Sequence, residues 1–104
     1  ISEFDAVKLK TSYLDDFYAP FVAESEVKLG CEFQQRIDTE LNGTSLIIGK
    51  IVKIEVPEKC IQTDGFIDIE LAGSLTVSGL DSYHKTERLS RLSYAKPDKW
   101  PTEI

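Results

Sequence analysis

The sequence holds no methionine, one histidine, one tryptophan and two cysteines in 104 residues. Each scarcity closes off a kind of chemistry. His84 with Cys31 and Cys60 cannot complete a familiar zinc set, and the cysteines lack CxxC spacing, so no metal site is expected. Two isolated cysteines read as reduced thiols of a cytoplasmic protein, with a single disulfide as the other reading. A lone histidine with no motif around it supports no Ser-His-Asp arrangement. The six glycines form no phosphate-cradling loop. No apolar run approaches the roughly 18 residues that span a bilayer, and no signal peptide is visible, so no membrane partner is expected. Positive charge is also short: 12 Lys and Arg stand against 18 Asp and Glu, a net charge of −6. Without a basic stripe, nucleic acid and anionic lipid are excluded as partners. Methionine is missing even at position 1, and Ile1 is too large to follow a removed initiator, so the chain reads as cut from a longer one.

What is present is an ordinary globular balance, 41% hydrophobic and 29% charged. Residues 1–104 read as a single small unit, without repeats, low-complexity segments or linkers. Residues 1–10 suit a short helix or the end of one. Residues 11–23, with Tyr13, Phe17, Tyr18 and Phe21 around Pro20, read as a loop pinned to a core by its rings.

The strongest signal runs from Val27 to Leu41. Odd positions read Val27, Leu29, Cys31, Phe33, Gln35, Ile37, Thr39 and Leu41, while even positions are mostly charged or amide. This predicts a long strand with one face in a core, and an inert buried thiol at Cys31. Asn42-Gly43 predicts a tight type I′ turn. Residues 44–56 are the β-branched return strand, closed by Pro57. Gly49 in its middle suggests a bulge, or close approach by a ligand or backbone. Asp64-Gly65 marks a further turn, and residues 66–71 alternate as another strand. Residues 72–80 read as a short helix or loop, 88–94 as a last strand, and 96–104 as an extended or frayed tail. The hairpin over 25–56 is too large to stand alone and needs further strands against it.

Four stretches then resemble, in order, the flavin reductase-like, FMN-binding split β-barrel family. Ala19-Pro20-Phe21-Val22-Ala23-Glu24-Ser25 with Leu29-Gly30-Cys31 is similar to the family's approach to its long strand. Gly43-Thr44-Ser45-Leu46-Ile47-Ile48-Gly49-Lys50-Ile51-Val52 is similar to its hairpin return. Asp64-Gly65-Phe66-Ile67-Asp68 is the third. Ser78-Gly79-Leu80-Asp81-Ser82-Tyr83-His84, followed by residues 91–97, is the fourth. The resemblance implies a mainly β fold, a partial Greek-key split β-barrel with a long central hairpin and short helical or loop segments. The chain would be the C-terminal portion of an FMN-binding split-barrel domain.

The resemblance further implies an FMN cofactor, NAD(P)H or another small-molecule electron donor, and a homodimer. NADH-using reductases often carry Gly-Asp-His in the hairpin; here those places hold Gly43-Thr44-Ser45. Thr44 and Ser45 are the candidate substrate-binding residues, against a plain strand start. Tyr83, His84 and Lys96 are the candidate cofactor-binding residues. Against them stand a packing tyrosine, an exposed loop histidine and a solvated charged face. Arg88, Arg91 and Lys99 are further positive groups near the chain end. Glu24 falls on a family glutamate and reads as structural. No catalytic residue is assigned. The alternative to a flavoprotein is a non-catalytic β-barrel binding or structural module.

Overall fold

The computed structural model describes residues 2–104. The chain opens with the short helix α1 (Glu3–Val7), as expected for residues 1–10. It stops at Lys8, whose φ of 59° is left-handed; the N–H groups of Lys8 and Leu9 donate to Asp5 and Phe4 carbonyls at 3.3 and 3.0 Å. That closes carbonyls the helix would otherwise leave open.

The aromatic segment is more ordered than a loop. Strands β1 (Thr11–Ser12) and β2 (Phe21–Val22) pair antiparallel at its two ends. Phe21 is 7% exposed and its ring centroid lies 5.2 Å from that of Phe17. Phe17 in turn lies over Gly30, where an added Cβ would stand 2.9 Å from the ring. Two of the four rings therefore pin the segment; Tyr13 and Tyr18 face outward, Tyr18 being 96% exposed. Glu24 ties the same region shut, both carboxylate oxygens accepting from the Lys10 N–H at 3.0 and 3.2 Å. This gives Glu24 the structural role expected of it.

The long alternating run forms β3 (Lys28–Asp38), paired antiparallel with β4 (Ser45–Glu55). The expectation of one apolar face needs correction. Paired residues share a face, and faces alternate along each strand. Leu29 with Ile54, Cys31 with Ile51, and Phe33 with Gly49 stand on one side, because Val52 on β4 is an extra residue without a partner between Lys53 and Ile51. Gln34 then has no partner, since Phe33 pairs with Gly49 and Gln35 with the next residue, Ile48. One extra residue reverses the alternation beyond it. Ile48 and the pair Ile37 and Leu46 consequently stand on the opposite side. The hairpin carries two apolar patches, one at its base and one at its tip, on opposite faces. Gly49 is not itself the extra residue. It sits beside the bulge, where an added Cβ would come 3.1 Å from the Cys31 Cβ, so the close approach is by Cys31. Cys31 is exposed rather than buried, because its patch has no cover within the chain.

The turn also differs from the expected two-residue type. Asp38 pairs with Ser45, and the Thr39 N–H donates to the Thr44 carbonyl at 2.9 Å, leaving a four-residue loop of Glu40 to Gly43. A type I′ turn needs positive φ at both central residues, and here only Gly43 has it, at 67°.

After β4 a 3₁₀ turn (Glu58–Cys60) buries Cys60 completely. The strand expected over 66–71 reduces to one bridge between Ile61 and Ile67. The Asp68 carboxylate accepts the N–H groups of Glu70 and Leu71 at 3.0 and 3.1 Å and bends the chain into a turn. Residues 72–80, read as helix or loop, instead enter the hairpin of β5 (Leu75–Ser78) and β6 (Ser82–Lys85). The last strand expected over 88–94 is a single bridge, Leu92 to Glu103. The tail is not frayed: Ser93 and Ile104 N–H groups donate to Thr102 and Arg91 carbonyls at 2.8 and 2.9 Å.

The fold is thus mainly β, built of antiparallel hairpins, with each sheet two-stranded and no closed barrel among the described residues. Its buried apolar residues are Phe21, Cys60 and Ala72. Among the described residues no helix is long and apolar enough to cross a membrane.

Candidate functional site

Thr44 and Ser45 lie at the tip of the β3–β4 hairpin, and their hydroxyls are already engaged. Thr44 Oγ1 and N–H donate to Asn42 Oδ1 at 2.6 and 3.3 Å, and Thr39 Oγ1 lies 2.8 Å from Thr44 Oγ1. Ser45 Oγ donates to Asp38 Oδ1 at 2.6 Å, beside the Arg36 Nε at 2.8 Å. The Ser45 hydroxyl and then the Arg36 guanidinium hold the Asp38 carboxyl below the usual carboxylate range. This network closes the loop and fits a strand start.

Tyr83 and His84 are neighbours on β6, opposite Val77 and Thr76. The Tyr83 ring is 69% exposed. His84 Nε2 lies 2.8 Å from Ser78 Oγ across the hairpin. Lys96 sits where the tail doubles back, its N–H donating to the Lys99 carbonyl at 3.4 Å and the reverse bond at 3.2 Å. It lines a groove of about 450 Å³ with Pro97, Lys99, Trp100 and Pro101. Lys96 joins no salt bridge among the described residues. Among the described residues no side-chain hydrogen bond and no cavity joins the hairpin tip, the β6 pair and Lys96. No cluster of three or more potential metal ligands occurs among them either.

One further cavity, of about 390 Å³, lies between the turn at 66–70 and residues 86–92. The Arg91 guanidinium stacks 3.9 Å from the Phe66 ring centroid and donates to Asp64 Oδ2 at 2.6 Å. Arg88 stands 5.6 Å from the same ring and 3.7 Å from Asp68 Oδ2. The Arg91 hydrogen bond holds the Asp64 carboxyl below its ordinary value. Thr86 Oγ1 is buried at this cavity with no hydrogen-bond partner. Both arginines, candidates for an anion, are answered by acids of the chain itself. A single sequence carries no signal for this cluster, because its partners lie 20 and 27 positions apart.

No family model matches the chain, and no curated protein matches it. Among solved structures it is similar to a protein of Shewanella frigidimarina NCIMB 400, provisionally described as a flavin reductase with split barrel domain. The two are 43% identical with a TM-score of 0.85, over 91% of this chain. The chain belongs to the flavin reductase-like split-barrel family. This split-barrel chain spans 48% of the solved relative's length. The hairpins described above are therefore split-barrel hairpins.

Proposed function

We propose that this split-barrel chain is part of a flavoprotein that holds FMN and passes hydride between NAD(P)H and the flavin. The observation that carries the reading is the 43% identity, at a TM-score of 0.85, to a protein described as a flavin reductase. Nothing in the hairpin tip replaces a nicotinamide-facing histidine. Thr44 and Ser45 would only shape that end of a substrate pocket.

The uncommitted groups fit a flavin in their chemistry. A flavin phosphate needs positive charge or N–H donors, and Lys96 pairs with no acid among the described residues. A flavin edge can lie against an aromatic ring, and Tyr83 presents one. His84 would donate or accept next to it, positioned by Ser78. No hydrogen bond or cavity among the described residues joins these groups, and under this proposal they would each hold a different part of the flavin. When bound, FMN supplies the hydride-accepting ring, while the protein binds and orients it. A homodimer and a cytoplasmic setting are part of the same proposal.

The test is the visible spectrum of the protein purified from its own gene, followed by melting with added flavin. FMN binding to the folded state alone raises stability by about 2.7 kcal/mol at a hundredfold excess over Kd. Lys96→Ala weakens FMN binding about tenfold or more, the loss of one charge-assisted hydrogen bond. Preference for FAD over FMN in the same assay would correct the cofactor. A colourless protein that neither flavin stabilises would sink the proposal and leave a non-catalytic β-barrel binding module.

A further inference from the structure

The β5–β6 hairpin has two unlike faces. Its register sets Thr76 opposite His84, Val77 opposite Tyr83 and Ser78 opposite Ser82. Alternation then puts the imidazole on one side with three hydroxyls, and Val77 and Tyr83 on the other. On the imidazole side, Ser78 Oγ lies 2.8 Å from His84 Nε2. Among the described residues Ser78 Oγ makes no other hydrogen bond, and His84 Nδ1 makes none. The Tyr83 hydroxyl points to the opposite face and cannot take the place of Ser78. A neutral imidazole carries one proton on two nitrogens, so the bond made at one nitrogen fixes the role of the other. An imidazole nitrogen is a far stronger base than a hydroxyl oxygen. In this pair the Ser78 O–H therefore donates, Nε2 accepts, and the ring proton stays on Nδ1.

We propose that Ser78 is a positioning residue for His84: its hydroxyl holds the ring as the Nδ1–H tautomer, which presents an N–H donor to an acceptor oxygen or nitrogen of the flavin. The ligand in this inference rests on the flavoprotein reading, while the tautomer rests on the hairpin geometry alone. The assignment goes one step past that reading, in which His84 is free to donate or accept. With Nε2 occupied, Nδ1 is the nitrogen left to meet a ligand, and as an N–H it favours an acceptor over a donor.

Nitrogen NMR of the imidazole ring reads the tautomer directly, because a bare ring nitrogen resonates far from a protonated one. The sample is the protein expressed from its own gene, as purified, at about pH 9, well above the roughly 6.5 of a free imidazole. His84→Gln assigns the ring signals by removing them. The proposal requires the proton on Nδ1 in the wild type and in Ser78→Thr, which keeps the hydroxyl. In Ser78→Ala the proton should move toward Nε2, the tautomer that free histidine prefers. A wild-type ring protonated on Nε2, or a tautomer that Ser78→Ala leaves unchanged, overturns it. FMN titration is the second arm. Ser78→Ala should weaken binding about 2- to 10-fold, the worth of one neutral hydrogen bond, and should have no further effect in the His84→Gln background. Equal losses with and without His84 would mean that the serine acts by itself, which also overturns the positioning role. A wild-type protein with its proton on Nδ1 that binds no flavin overturns the flavin reading alone and keeps the Ser78–His84 assignment.

Discussion

Asp64 joins the third family-like stretch to the chain's last third. Its carboxylate accepts from Arg91 at 2.6 Å and from the Phe66 N–H, while Arg91 lies over the Phe66 ring. The hydrogen bond from Arg91 depresses the Asp64 pKa below its ordinary 3.8. A depressed carboxylate stabilises the fold above its unfolded value, and the stabilisation is lost as pH falls through the lower folded value. Asp64→Asn is therefore expected to lower the melting temperature at neutral pH. The gap to the wild type should close in acid below 3.8; a gap that stays constant with pH would assign the effect to packing. Asp15 and Asp38 titrate with the same sign, and Lys53, raised by Asp15, loses its share only on the alkaline side. Phe21 is the second residue to test. It is the one buried aromatic ring, so Phe21→Ala should cost about 3 kcal/mol or more in urea unfolding. Single-residue roles were partly legible in the sequence. Glu24 could be placed because the residues around it form a motif. The exposure of Cys31 could not, since alternation reports which side a residue takes and not whether anything covers that side.

At the scale of elements, local chemistry was the legible part. Period-two alternation marked β3, and β-branched residues marked β4. The bulge at Gln34 was hidden because an extra residue leaves no compositional trace; it shows only in the register against the partner strand. The β5–β6 hairpin was missed for a different reason. Residues 72–80 read as a short helix or loop, although Gly79, at φ 60°, stands in the turn between the two strands. The β3–β4 loop makes the energetic point testable. Asn42 Oδ1 accepts from Thr39 Oγ1, Thr44 Oγ1 and the Thr44 N–H, so Asn42→Ala should cost about 1 kcal/mol. Gly43→Ala should cost about 1–2 kcal/mol, since alanine at left-handed φ brings its Cβ against the following carbonyl. Both are read by thermal melting. Indifference to Asn42→Ala would mean that water replaces the side chain at no loss.

The whole molecule is extended for its length. Its radius of gyration is 17.6 Å, where about 13 Å is usual for a folded chain of this size. Expansion follows from the sheet arrangement: the sheets are three separate two-stranded pairs, and among the described apolar residues only Phe21, Cys60 and Ala72 are buried. The candidate site residues were unreadable as a site for the same reason. Tyr83 and His84 sit on β6, Thr44 at the β3–β4 tip and Lys96 in the tail, and no hydrogen bond or cavity among the described residues joins the three. Unfolding should reflect this. The slope of stability against urea scales with the surface newly exposed, and small proteins give about 1–3 kcal/mol/M. A 104-residue chain that already exposes Leu29, Phe33, Ile51 and Ile54 has little left to expose. Isolated, it should unfold broadly, with a slope below about 1 kcal/mol/M. Hydrogen exchange should protect β3–β4 more than β5–β6, because 11-residue strands hold a longer ladder than four-residue ones. A sharp transition with an ordinary slope from the isolated chain would show that 104 residues suffice for a cooperative core, and the exposed hairpin face would then need another explanation than incomplete burial.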